Sequence, residues 1–129
     1  METDLTKLLA HADLFANRLP PPEVGPLPSG PAMAQLIDHT LLKPEATPAQ
    51  IVQLCSEARE YEFASVCLNP IYIPLAVRQL ANAPHVAVCT VIGFPLGASP
   101  AATKVAETDW CLQAGARDLS RKCRSTPFL

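Results

Sequence analysis

The sequence lacks the closely spaced cysteine and histidine pairs from which zinc sites are usually built. Its five cysteines contain no C-x-x-C pair, and the three histidines do not cluster with them, so we expect no metal site. An odd number of cysteines argues against a disulfide framework and favours free thiols in a reducing compartment. These absences predict a cytoplasmic protein.

Long apolar runs and an excess of one charge are also missing. No apolar stretch approaches the roughly 18 residues of a membrane span. The N-terminus carries Glu2 and Asp4, and it lacks both the apolar region of a secretory signal peptide and the Arg-rich, acid-poor character of a transit peptide. The formal net charge is −2, which provides no electrostatic reason to bind nucleic acid or a membrane. We therefore expect neither kind of partner.

The chain has 129 residues, which is enough for one domain with a core but short of the about 250 residues of a complete (β/α)8 barrel. Residues 1–32 are predicted to form a short N-terminal helix, over residues 1–19, and a linker over residues 20–32. Closely spaced prolines exclude a helix or central strand in that linker. Its alternative role is as a ligand for a proline-reading domain.

Residues 33–116 alternate between strand-like and helix-like patterns. Residues 34–37 predict a short strand that leads into Asp38. Thr47, Pro48 and Gln50 then form a capping-box sequence at a helix start. The apolar face of this helix is predicted to comprise Ile51, Leu54, Cys55, Ala58 and Tyr61.

Two further units follow the same order of strand and helix. Residues 63–68 form an apolar run with Ser65 inside it, as in a strand that is covered on both faces. Residues 86–92 form a third apolar strand, which is rich in β-branched residues. Helices are predicted from near Pro74 and from Ser99–Pro100. The whole is an α/β fold with parallel strands and right-handed crossovers. The last helix is expected to pack through Ala101, Val105, Thr108 and Leu112.

Residues 117–129 depart from this pattern. Four of residues 117–125 are basic, and Leu119 is the only large aliphatic residue among them. This composition predicts a disordered, divergent tail in place of a fourth buried strand. A small basic interaction tail is the alternative.

Several motifs in order give the chain a resemblance to a known family. They are Ile37-Asp38-His39-Thr40-Leu41-Leu42, Ala64-Ser65-Val66-Cys67 with Asn69-Pro70, the segment from Cys89 to Gly97, and Lys104. Together they resemble the deoxyribose-phosphate aldolase family. The resemblance implies a partial (β/α)8 TIM barrel of about three βα units. It also implies a cytoplasmic lyase that cleaves 2-deoxy-D-ribose 5-phosphate to D-glyceraldehyde 3-phosphate and acetaldehyde through a lysine Schiff base, without a cofactor or metal.

One departure from the family pattern concerns catalysis. Ser120 stands where the resemblance places a catalytic Asp, and the family's Schiff-base lysine, its second lysine and its phosphate-binding loops belong to later strands. No catalytic residue is therefore carried over, and we expect the chain alone to be inactive. Of its four lysines, Lys43 and Lys104 are expected to lie on the surface.

The resemblance implies supporting roles in a substrate pocket for Asp38, Thr40 and Cys67. Asp38 is expected at the C-terminal end of the first strand, where barrels carry their chemistry. The alternatives are an Asp that binds turn amides and a plain buried thiol at Cys67. Asn69 is expected to cap a helix.

Three hypotheses about function remain. The first is a fragment of an aldolase that self-associates through an open sheet edge. The second is a non-catalytic interaction protein, and the third is an aldolase that uses Lys43 together with a separate C-terminal piece.

Overall fold

The computed structural model describes residues 25–121, and it describes side chains as far as Leu119. Predictions for residues 1–24 and 122–129, including the N-terminal helix and most of the tail, lie outside this range. The elements are α1 (Pro31–Ala34), β1 (Asp38–Leu41), α2 (Pro48–Glu60), β2 (Ser65–Leu68), a 3-10 turn (Pro70–Tyr72), α3 (Ile73–Gln79), β3 (Ala87–Ile92), α4 (Ala101–Gln113) and β4 (Asp118–Arg121).

The four strands form one parallel sheet in the order β1-β2-β3-β4. In the register, Thr40 lies opposite Cys67, and Cys67 lies opposite Cys89. A helix stands between each strand and the next along the chain. The predicted α/β fold with parallel strands is thus confirmed.

The two faces of the sheet have different surroundings. On one face, Val66, Leu68, Val88 and Ile92 pack with helix residues into the main core. Alternate strand residues point to the opposite face. There a smaller cluster contains Cys67, Cys89 and Val91, with Leu42 packed against it.

Helix α2 begins as the sequence predicts. The Thr47 side chain accepts a hydrogen bond from the Gln50 amide, and the Gln50 side chain accepts one from the Thr47 amide. Both bonds satisfy amide groups that the first helical turn leaves without partners. The predicted apolar residues of this helix are buried as far along the chain as Ala58. Tyr61 is 58% exposed because it follows the last helical turn.

The predicted strand over residues 34–37 is wrong. Pro31 begins α1 after Gly30, whose φ of 57° suits a residue without a side chain. The amides of Leu36 and Ile37 then donate to the carbonyls of Met33 and Ala34. These local turns keep the backbone from pairing, so β1 starts only at Asp38.

The predicted face of α4 is also wrong. Val105 is 59% exposed and Leu112 is 50% exposed, whereas Cys111 is fully buried. Lys104 and Glu107 lie on the inner, partly buried side of the helix. Their polar groups bind the backbone of the preceding loop, so this helix is oriented by polar contacts as well as by apolar burial.

The predicted break at residue 117 does not occur, because Asp118–Arg121 forms a fourth parallel strand. The Arg117 amide donates to the Val88 carbonyl at 2.9 Å, and Leu119 packs against the main core. Backbone pairing with β3 and one apolar side chain thus suffice where composition predicts no strand. Among residues 25–121, no helix is both long and apolar enough to cross a bilayer.

Candidate functional site

Asp38 is the first residue of β1, and the prediction that it lies at the C-terminal end of this strand is wrong. Its Oδ1 accepts a hydrogen bond of 2.6 Å from the Ser65 hydroxyl, and Ser65 is its register partner on β2. The residue is exposed as a whole. The Ser65 contact thus holds one carboxylate oxygen of an exposed residue.

Thr40 lies two residues further along β1, on the same face as Asp38. Its hydroxyl donates to the Asp38 carbonyl at 2.8 Å. The hydroxyl thereby stiffens the backbone beside Asp38. The predicted role of Thr40 in a substrate pocket stays a prediction.

Cys67 is 3% exposed and lies beside Cys89, which is 2% exposed. A hydrogen bond between the two thiols raises the pKa of Cys67, and burial raises it further. Cys67 is therefore a protonated, buried thiol under ordinary conditions. Cys67 lies opposite Thr40 in the strand register, and its predicted role in a substrate pocket stays a prediction.

The sequence reasoning did not single out Cys89 as a site residue. The ligand atoms of Asp38, Cys67 and Cys89 all lie within 4.8 Å of one another. One feature of the sequence pointed to this proximity, because each of two consecutive apolar strands contains a cysteine. Only the register reveals that the two cysteines are direct neighbours.

Two other residues have partners that the sequence does not predict. Asn69 stands at the N-cap position of the 3-10 turn but makes no side-chain cap, so the capping prediction is wrong. Its amide instead donates to the Lys43 carbonyl at 3.3 Å and holds the loop after β1. His39 Nε2 lies 2.7 Å from Glu57 Oε2, so this side chain joins β1 to α2.

The loop after β3 is held by two charged side chains of α4. The Gly93 amide donates to Glu107 Oε2 at 2.8 Å, and Lys104 Nζ donates to the Gly97 carbonyl at 2.6 Å. The expectation that Lys104 points to solvent is wrong. Gly93 and Gly97 have φ of 66° and 65°, a backbone conformation that favours glycine.

A cleft of about 640 Å³ lies beside this loop, at the C-terminal end of β3. It is lined by Gly93, Phe94, Pro95, Leu96, Ala98, Ser99, Thr103, Ala106 and Glu107. Asp38, Thr40 and Cys67 are not among these residues. The structure thus brings the three predicted site residues together, but away from the cleft.

The comparisons with known proteins agree on one family, although no family model matches the chain. Deoxyribose-phosphate aldolase from Halalkalibacterium halodurans is 56% identical over 88 residues, which are 68% of this chain and 39% of that protein. The enzyme of the same name from Shouchella clausii is 58% identical over 87 residues, covering 67% of this chain and 39% of the relative. The chain spans about two fifths of the length of these relatives.

Solved structures give the same result. A provisionally assigned deoxyribose-phosphate aldolase from Coccidioides immitis superposes with a TM-score of 0.74 and 36% identity, covering 93% of this chain and 48% of that one. The tetrameric deoxyribose-phosphate aldolase from Aeropyrum pernix gives a TM-score of 0.66 and 40% identity, over 72% of this chain and 39% of that one. The chain therefore belongs to the deoxyribose-phosphate aldolase family and contains part of its barrel.

Proposed function

We propose that this chain provides four strands and one wall of the pocket of an aldolase that cleaves 2-deoxy-D-ribose 5-phosphate. The products are D-glyceraldehyde 3-phosphate and acetaldehyde, and the reaction proceeds through a Schiff base on a lysine. The observation that carries the proposal is the 56% identity to a deoxyribose-phosphate aldolase over 88 residues. The proposed site of action is the cytoplasm, in deoxynucleoside catabolism.

The face of the sheet opposite the main core supports this role. Asp38, Thr40 and Cys67 lie together on the face opposite the main core. In a complete barrel this face is the interior, where side chains from neighbouring strands meet. We assign the three residues to pocket support, with Asp38 positioned by Ser65 to orient an amine.

The chain alone is proposed to be inactive. A Schiff-base lysine must be neutral to attack a carbonyl, which requires burial or a neighbouring cation. Lys43 is exposed, and Lys104 is engaged with the Gly97 carbonyl. Neither has the surroundings of an activated amine among residues 25–121.

A complementation assay tests this assignment. The chain is mixed or co-expressed with the later βα units of an aldolase of the same family, and cleavage of 2-deoxy-D-ribose 5-phosphate is followed through the release of acetaldehyde. We expect activity only in the mixture. Asp38→Asn should lower that activity, whereas Glu60→Gln, a charge change on the exposed side of α2, should not. Mixtures without activity despite stable association would count against the proposal.

A non-catalytic interaction role is the second candidate. Strands β1 and β4 are the two edges of the sheet, and edge strands offer unpaired backbone groups to another strand. These edges favour self-association, which occurs with or without a catalytic partner. A pull-down partner that binds the chain specifically and is lost with residues 117–129 would favour this candidate over the first.

A further inference from the structure

The loop over residues 93–97 follows β3 at the end of the sheet where barrels carry their chemistry, and two side chains of α4 hold its ends. We propose that these two residues, Lys104 and Glu107, are positioning residues of the aldolase. They fix the loop as a preformed rim of the substrate pocket and thereby set the affinity for the sugar. This role rests on the function proposed above.

The loop is closed on itself at its two glycines. The Gly97 amide donates to the Gly93 carbonyl at 2.6 Å. Both residues have positive φ, of 65° and 66° respectively, which glycine adopts at little cost. The backbone between them therefore forms a single turn with its ends tied together.

The remaining polar groups of the two glycines bind to α4. The Gly93 amide donates to Glu107 Oε2 at 2.8 Å, and Lys104 Nζ donates to the Gly97 carbonyl at 2.6 Å. Hydrogen bonds to carboxylate and ammonium groups are stronger than those between neutral groups. The amide and the carbonyl of both glycines are thus engaged, so the turn cannot change its shape without breaking one of these bonds.

Lys104 also packs on the loop through its aliphatic part. A Cβ built at Gly93 would lie 3.1 Å from Cε of Lys104, so the lysine stem lies directly over Gly93. Lys104 and Glu107 are three residues apart, share one face of α4 and are partly buried. Helix and loop therefore form one unit that is held by apolar contact and by hydrogen bonds.

The fixed turn presents apolar side chains to the cleft at the C-terminal end of β3. Phe94 and Leu96 are 37% and 78% exposed, and both line this cleft together with Gly93 and Glu107. No lysine or arginine is among the described residues that line it, so the wall suits the uncharged carbon chain of a sugar better than its phosphate. A wall that is ordered before binding lowers the entropic cost of binding, and its effect is on affinity.

Hydrogen exchange on the full chain, followed by NMR without substrate, tests whether α4 fixes the loop. Lys104→Met removes the donor and keeps most of the stem, and Glu107→Ala removes the acceptor. The amides of Gly93 and Gly97 should exchange at least about tenfold faster in both variants. Lys104→Arg and Glu107→Gln keep a donor and an acceptor and should restore slow exchange, and Asp109→Asn, on the exposed side of α4, should not change it.

Kinetics of the complemented enzyme test whether the fixed loop serves the substrate. Lys104→Met and Glu107→Ala should each raise KM about tenfold, the effect of losing one hydrogen bond to a charged group, and should change kcat by less than about twofold. The double variant should raise KM by less than the product of the two single effects, because both residues hold one loop. 2-Deoxy-D-ribose without its phosphate should show the same loss of kcat/KM.

The possible failures can be told apart. An active mixture in which Lys104→Met and Glu107→Ala have the KM of Asp109→Asn would overturn the positioning role and leave the aldolase function in place. A wild-type mixture without activity would overturn the aldolase function, and with it the role of both residues in the pocket. Partial unfolding lowers the apparent kcat and leaves KM unchanged, so a loss of kcat alone would also contradict the proposal.

Discussion

The Ser65 hydroxyl donates a hydrogen bond of 2.6 Å to Oδ1 of Asp38 and so joins the first residues of β2 and β1. Ser65 is buried, with 7% exposure, while Asp38 reaches solvent. The bond positions a carboxylate on the face of the sheet opposite the main core, where the proposed function uses it to orient an amine. Its strength can be measured without any ligand.

Ser65→Ala should lower the free energy of unfolding by about 1–3 kcal/mol, because a hydrogen bond to a charged acceptor is lost in a partly buried place. Urea unfolding followed by circular dichroism measures the change. Ser56→Ala on α2 is the matched control, since the Ser56 hydroxyl has no hydrogen bond in the described structure, and its effect should be small. An equal effect of both substitutions would show that the Asp38 bond adds nothing.

Thr47→Ala should lower the free energy of unfolding by about 1 kcal/mol, since it removes the side-chain acceptor of the α2 capping box. Thr47→Ser keeps the hydroxyl and should recover most of the loss. Thermal denaturation of the three proteins side by side checks this. Identical midpoints for the wild type and Thr47→Ala would contradict the cap.

Gly115→Ala should destabilise the chain by about 1–3 kcal/mol, because Gly115 has a φ of 106°. A Cβ built there would also lie 2.9 Å from Val77 Cγ2. Val77→Ala added to Gly115→Ala should relieve the contact but not the backbone strain. Gly25→Ala is the control, because a Cβ at Gly25 meets no atom within 4 Å. Chemical denaturation of the wild type and the three variants separates the steric contact from the backbone strain.

Glu57 should make the stability depend on pH in the acid range. A hydrogen bond from Gln53 and then one with His39 lower the pKa of Glu57 below its ordinary value of 4.5. A carboxyl whose pKa is lower in the folded state stabilises the fold above the unfolded pKa, and the contribution fades as the pH falls through the folded pKa. The stability difference between the wild type and Glu57→Gln should therefore be present at pH 7 and vanish in strong acid.

Urea unfolding at several pH values measures this difference. Glu60→Gln on the same helix is the control for loss of a surface carboxylate. A difference between the wild type and Glu57→Gln that grows as the pH falls would have the wrong sign and would contradict the assignment.

Self-association should increase with concentration, since β1 and β4 leave both edges of the sheet unpaired within the described residues. Sedimentation velocity over a range of concentrations measures it. A single monomeric species that melts cooperatively at every concentration would contradict this expectation.

The sequence predicts those parts of the fold that have local causes. The capping box at Thr47 and the continuous apolar run of β2 place α2 and the second strand correctly. The strand predicted at residues 34–37 fails because short-range turns compete with pairing there. Strand β4 is missed because its stability comes from pairing with β3, which composition does not encode.

The same difference between features with local causes and features that depend on strand pairing applies to the candidate site. Family motifs identify Asp38, Thr40 and Cys67, and the structure places them on one face. Cys89 is missed because its proximity depends on the register between strands. The inward position of Lys104 is missed because its partner is a loop carbonyl, which leaves no periodic signal in the sequence.

The central claim is that this chain provides pocket-wall residues of an aldolase barrel without an activated lysine. Borohydride trapping with 2-deoxy-D-ribose 5-phosphate, followed by peptide mass spectrometry on the full chain, tests it most directly. The account predicts no substrate-dependent adduct on any lysine, and a stable adduct only on the complementing piece when that is added. A stoichiometric adduct on Lys43 or Lys104 of the chain alone, lost in Lys43→Arg or Lys104→Arg, would contradict it.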